Sequence, residues 1–121
     1  KAMKKLIGLV LIISFGIQSN AQSGCSQKLS LDSFQTELKK IKDYDFDQAK
    51  KEAIQVLLNK CLTSLQLKKL LLELSFEEDK LELAKKAFNK ISNPSKFSII
   101  KDVFDFEDSK KEIDTFINRK K

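Results

Sequence analysis

Segments of the chain match one another when the sequence is shifted by thirty residues, and this repeat constrains the fold more than any other feature. The shift aligns Phe46 with Phe76 and Phe106. A repeat of this length is typical of a unit that buries its apolar face against copies of itself. Other residues in the same register are Lys50, Lys80 and Lys110; Glu52, Glu82 and Glu112; and Lys60, Lys90 and Lys120.

Residue types that cap helix N-termini recur at two positions of each repeat. Their side-chain oxygens can accept hydrogen bonds from the free amides of a first helical turn. Ser75 with Glu78 has the spacing of a capping box, and Pro94 suits a first helical position. Each unit is therefore predicted to be helix, short turn, helix. The two sets of predicted caps are Ser33, Thr63 and Asn93, and Asp45, Ser75 and Asp105.

The predicted fold is all-α, with six helices arranged as three tandem hairpins. Only three glycines and one proline occur in 121 residues, too few for the turns of an all-β chain. Apolar residues at helical spacing support the assignment, as in the stripe Leu67, Leu70, Leu71 and Leu74. Phe46 is placed on the apolar face of the second helix. The predicted helices span residues 31–43, 46–59, 64–74, 77–90, 95–104 and 107–119.

Residues 1–21 have the pattern of a secretory signal peptide. Lys4 and Lys5 precede an apolar run over residues 6–17, which is too short to span a bilayer core of about 30 Å. The small residue Ala21 predicts cleavage between Ala21 and Gln22. We therefore expect an exported protein, either periplasmic or secreted, with an N-terminal arm over residues 22–30 and a single domain over residues 31–121.

The charge of the chain gives little reason to expect a nucleic-acid partner. Half of the net charge of +6 belongs to Lys1, Lys4 and Lys5 in the leader. The remainder has a single arginine, Arg119, and no tryptophan, whereas base readout and stacking rely on arginine and aromatic side chains. The lysines are interpreted as solvated helix faces.

Two cysteines, Cys25 and Cys61, follow the predicted cleavage site. An even number in an exported chain favours a disulfide, which would close a loop of about 36 residues and stabilise the fold by roughly 3 to 4 kcal/mol. Unpaired thiols are one alternative. Lipidation of Cys25 is another, because the small Gly24 precedes it, although Gln22 stands where lipoprotein signals normally have an aliphatic residue. A membrane partner is expected only for the lipidated form.

No catalytic, cofactor-binding or metal-binding residues are predicted. The chain lacks histidine, the usual general base and zinc ligand, and it has no glycine-rich phosphate loop. Asp43, Asp45 and Asp47 resemble the start of a calcium loop, but Gln48 and Ile54 occupy the positions that need Gly and Glu. Asp45 and Asp47 are interpreted instead as acids that cap the second helix.

The runs CLTSLQLKKLLLELSFEEDKLELAKKAF and FSIIKDVFDFEDSKKEIDTFI resemble the domain of unknown function 4476 family. The likeness covers roughly residues 29–119 and is most specific over residues 62–66, 76–81 and 83–88. The resemblance implies an exported, helical bacterial domain, and it supplies no activity and no catalytic residues.

Taken together, these features predict a non-enzymatic exported module of the cell envelope or secretome that binds a protein or peptide. Stacked helix pairs form elongated surfaces that often serve this purpose. Two alternatives are a lipid-anchored structural protein of the envelope and a hydrolase with an unrecognised pair of carboxylates.

Overall fold

The computed structural model describes residues 28–121. The predicted leader, the cleavage site between Ala21 and Gln22, and Cys25 lie outside the described residues. The described part is all-helical, which confirms the predicted fold class, and its only β-type pairing is an isolated bridge between Lys28 and Cys61. Its six helices are α1 (Leu31–Lys42), α2 (Asp47–Leu57), α3 (Ser64–Leu71), α4 (Glu77–Ala87), a 3-10 helix (Pro94–Val103) and α5 (Glu107–Lys120).

Consecutive helices contact each other in pairs: α1 with α2, α3 with α4, and the 3-10 helix with α5. The most extensive contact between pairs joins α3 to the 3-10 helix, while α4 also contacts α5 and α1 contacts α3. All of these helices share one core. The predicted stripe on α3 is central to it, because Leu67, Leu70, Leu71 and Leu74 are all buried.

The segment 95–104, predicted as an α-helix, is instead part of the 3-10 helix. Its buried side chains, Phe97, Ile100 and Val103, follow one another at intervals of three residues. A 3-10 helix has three residues per turn, so this spacing places all three on one line facing α3. Pro94 occupies the first turn as predicted.

Two α-helices end three residues earlier than the sequence pattern indicates. α3 stops at Leu71 rather than residue 74, and α4 stops at Ala87. The predicted last turn of α4 is a 3-10 turn over Phe88–Lys90. Tightening of a terminal helical turn into 3-10 geometry is common, and periodicity alone does not detect it.

In the first set of predicted caps, Thr63 and Asn93 are N-cap residues, but only Thr63 makes a cap hydrogen bond to its own helix. Thr63 caps α3 and forms a capping box with Gln66, with both hydrogen bonds at 3.0 Å. At α1 the cap is Ser30, whose hydroxyl accepts from the amide of Ser33 at 3.1 Å, so the prediction of Ser33 is wrong by one helical turn.

Asn93 makes no cap hydrogen bond to its own helix. Its side-chain oxygen accepts from the backbone amide of Ser64 at 2.8 Å, at the start of α3. The buried Ser64 hydroxyl donates to the Asn93 carbonyl at 3.2 Å. Asn93 therefore caps the helix of the preceding pair and ties the 3-10 helix to α3.

Candidate functional site

The three phenylalanines aligned by the repeat occupy the same structural position. Phe46, Phe76 and Phe106 are the N-cap residues of α2, α4 and α5, each with an extended backbone. They are 75%, 62% and 63% exposed, so the placement of Phe46 on a buried face is wrong. An extended N-cap residue precedes the helix, so the helical spacing of apolar positions does not apply to it. We call these three residues the phenylalanine row.

The second set of predicted caps is also wrong. The N-caps are the phenylalanines, which lie one residue beyond Asp45, Ser75 and Asp105. None of the three phenylalanine-capped helices has a side-chain cap hydrogen bond, so Ser75 and Glu78 do not form a capping box. Before α4 and α5, backbone amides find their partners in a neighbouring helix instead.

A carboxylate of the preceding helix pair takes over this role at two places. Asp47, at the start of α2, accepts from the amide of Ser75 at 2.7 Å. Glu77, at the start of α4, accepts from the amides of Asp105 at 3.2 Å and Phe106 at 3.3 Å. These bonds fix the backbone that carries Phe76 and Phe106.

Two lysines add a second contact that recurs in the same register. The Lys80 ammonium is buried and donates to the backbone carbonyl of Val103 at 2.8 Å, with a Glu77 carboxylate oxygen at 3.9 Å. Thirty residues earlier, Lys50 donates to the carbonyl of Glu73 at 3.4 Å. The turn before each of the last two phenylalanines is therefore held by both a carboxylate and an ammonium.

Glu77 has the most constrained carboxylate of this surface, with a side chain only 14% exposed. Burial alone raises its pKa. Hydrogen bonds from the Ser109 hydroxyl and from the amides of Asp105 and Phe106, together with the charge on Lys80, outweigh burial. The net effect holds the pKa of Glu77 below its ordinary value, so the carboxylate stays ionised.

Neutralising Glu77 with Glu77→Gln should cost about 1 to 3 kcal/mol near neutral pH, because charged hydrogen bonds to two amides are lost. A carboxyl whose folded pKa is lowered stabilises the protein above its unfolded pKa, near 4.5, and this contribution disappears as the pH falls through the folded pKa. Urea unfolding between about pH 6 and about pH 3 should therefore show a shallower loss of stability in the variant than in the wild type. Glu78→Gln, at an exposed neighbour, is the control, and parallel pH curves for wild type and Glu77→Gln would contradict this role.

A groove of about 520 Å³ lies beside the second half of the row. Phe76 and Phe106 provide its apolar walls, and the remaining lining is Ser75, Glu77, Glu78 and Asp79. The groove thus combines two aromatic rings with three carboxylates.

A second depression, of about 370 Å³, lies on α2 and α4 and is lined by Gln55, Leu58, Asn59, Lys86 and Lys90. Its polar groups contact one another, since Lys90 donates to Asn59 at 3.3 Å. Within residues 28–121, no group of three or more Cys, Asp or Glu side chains could hold a metal ion. In the same range, no helix is both long and apolar enough to cross a membrane.

Of the predicted disulfide, only Cys61 falls in the described range. It is 5% exposed, and the isolated parallel bridge to Lys28 brings the N-terminal arm alongside it. Pairing with Cys25 stays a prediction.

Comparison with known proteins gives one match. The family model named Domain of unknown function (DUF4476) matches residues 28–117, which is more than half of the chain. The chain belongs to the DUF4476 family. No curated protein and no solved structure matches it. The DUF4476 match runs from the bridge at Lys28 into α5, so it includes every member of the phenylalanine row.

Proposed function

We propose that this DUF4476 domain is a non-enzymatic binding module that docks a partner protein or peptide on the phenylalanine row. The observation that carries the proposal is the exposure of three large aromatic side chains at equivalent positions. Covering one such ring is worth about 1.5 to 3 kcal/mol, and aromatic residues dominate the energy of protein interfaces. A partner that covers the row gains this free energy.

The row is proposed to be displayed by three tandem helix hairpins. The recurrence of the Asp47 and Glu77 contacts, and of the Lys50 and Lys80 contacts, at an interval of thirty residues supports this arrangement. Successive hairpins would then present equivalent phenylalanines at regular intervals. Because these contacts hold the backbone in place, binding would require little ordering of the domain, which favours affinity.

Export to the periplasm or the outside of the cell is part of the proposal. Its support is the leader pattern over residues 1–21 and the presence of two cysteines after it. The bridge between Lys28 and Cys61 supports a disulfide to Cys25, because only two residues separate Cys25 from Lys28. For the lipid-anchored alternative, the native mature protein would need detergent to leave the membrane fraction.

The hydrolase alternative has less support than binding, although three acids line the groove. A carboxylate pair needs one acid whose pKa is raised so that it can donate a proton. Glu77, the acid held most firmly, has a lowered pKa and accepts from backbone amides. Asp79 pairs with Lys51 at 3.0 Å. Both are therefore engaged in structural contacts.

The test is cross-linking of the tagged mature domain in cells, followed by affinity capture and mass spectrometry. Phe76→Ser with Phe106→Ser should reduce cross-linking to a reproducible partner at least about tenfold, since loss of an aromatic anchor costs 2 kcal/mol or more. Leu65→Ser with Leu72→Ser is the matched control, because both leucines are also exposed but lie outside the row. Equal capture by the row variant and the wild type, or no partner above background, would sink the proposal.

A further inference from the structure

We infer that the segment bound at the groove of Phe76 and Phe106 is a cationic peptide with apolar side chains. An apolar side chain would lie between the two rings, and lysine or arginine side chains would contact the acids around them. This inference rests on the proposed function and names the chemistry of its partner.

The groove carries an excess of negative charge that the protein neutralises only in part. Its lining contains three carboxylates and neither lysine nor arginine. Glu78 is exposed and has no ion-pair partner within residues 28–121. Asp105 and Asp108, on either side of Phe106 along the chain, are likewise exposed. Because the whole chain carries a net charge of +6, this acidic surface does not follow from overall composition.

Three lysines that contact acids of this surface or of the first turn of α5 are already engaged. Lys80 is buried against the Val103 carbonyl, and Lys51 contacts both Asp79 and Glu82 at 3.0 Å. Lys110 contacts Glu107 at 3.5 Å. Glu78 in the groove lining, and Asp105 and Asp108 beside Phe106 along the chain, therefore remain available to cations from a partner.

The helix N-termini do not cancel this charge. The positive end of a helix dipole is equivalent to roughly half an elementary charge, whereas the first turn of α4 carries three acids and that of α5 carries two. Part of the negative charge is thus left for a ligand. Exposed phenylalanine rings add an attraction of their own for ammonium and guanidinium groups that lie over their faces.

The same charges disfavour other macromolecules at this surface. Nucleic acids and anionic membranes would bring phosphates against Glu78 and Asp108. A purely apolar partner would leave these carboxylates desolvated without counter-charges, which is costly. A basic, apolar segment satisfies both the rings and the acids, and electrostatic attraction would also speed its association.

The inference can be tested with three labelled peptides and the purified mature domain. Each peptide is about nine residues long, which spans roughly 30 Å when extended. One alternates lysine with leucine, the second alternates glutamate with leucine, and the third alternates lysine with serine. Fluorescence anisotropy should show the lysine and leucine peptide binding at least about tenfold more tightly than either of the others, with affinity that falls as salt is added.

Two charge reversals of equal size test whether the peptide binds at the groove. Glu78→Lys should weaken binding of the lysine and leucine peptide about tenfold, whereas Asp32→Lys, at the start of α1, should leave it unchanged. Equal affinity for the three peptides, or equal effects of the two variants, would overturn the inference. If a cellular partner is captured through the row but its contact segment is acidic or neutral, the inference fails while the proposed function stands.

Discussion

Truncating Phe97 to alanine is expected to lower the free energy of unfolding by about 3 to 5 kcal/mol, a large share of the stability of a domain this small. Phe97 is fully buried in the 3-10 helix, where that helix packs against α3. Its ring also meets the edge of Phe88, with centroids 4.9 Å apart. The substitution removes buried apolar surface and leaves a cavity that the neighbouring side chains fill only in part. Urea unfolding followed by circular dichroism measures the change.

The matched control is the same substitution at Phe106, which is 63% exposed. Phe106→Ala should change the free energy of unfolding by less than about 0.5 kcal/mol, as is usual for surface positions. If the two variants lost similar amounts of stability, the assignment of Phe97 to the core and of Phe106 to the exposed phenylalanine row would be wrong. Because Phe106→Ala keeps the fold, it also separates loss of binding from loss of structure.

Reduction of the mature protein is expected to lower its free energy of unfolding by about 3 to 4 kcal/mol, the second largest effect we predict. The proposed bond joins Cys25 to Cys61, which is buried and lies beside Lys28. Cys25 is three positions from Lys28 along the chain, a distance of at most about 10 Å when extended, so the chain length is compatible with the proposed bond. Unfolding in urea with and without reductant measures the difference.

Cys25→Ala is the control for this experiment, because its stability should not respond to reductant. Intact mass after alkylation gives an independent readout. Incorporation of two alkyl groups without prior reduction would exclude the disulfide. A mass increase matching an acyl chain on the protein isolated from cells would favour lipidation of Cys25 instead.

Much of the fold could be predicted from local sequence patterns. The stripe on α3 identified core residues because a helix repeats every 3.6 residues whatever its surroundings. Thr63 is predictable as a cap from its residue type and its place in the repeat, because the amide that it accepts from, that of Gln66, lies in the same helical turn. Pro94 was placed correctly because its lack of an amide proton is acceptable at the start of a helix. In each case the deciding interaction is within a few residues.

The errors concern interactions between helix pairs. Asn93 has the chemistry of a cap, but the amide it accepts from belongs to Ser64, in another helix. Glu77 likewise binds amides 28 and 29 residues away, which no local pattern reveals. The exposure of Phe46 was missed because a recurring phenylalanine normally indicates a core position. The sequence did carry a signal of this exposure, since each aligned phenylalanine is followed directly by an acid, which resists burial.

Contacts between successive helix pairs close loops of similar length along the chain. Side-chain hydrogen bonds between successive pairs join residues 23 to 34 positions apart, from Lys80 with Val103 to Lys68 with Asp102. Each closure therefore carries a similar and modest entropic cost. Because these contacts join neighbouring helix pairs, structure formed in one pair can template the next. We therefore expect folding to spread outward from α3 and the 3-10 helix, where packing between pairs is most extensive.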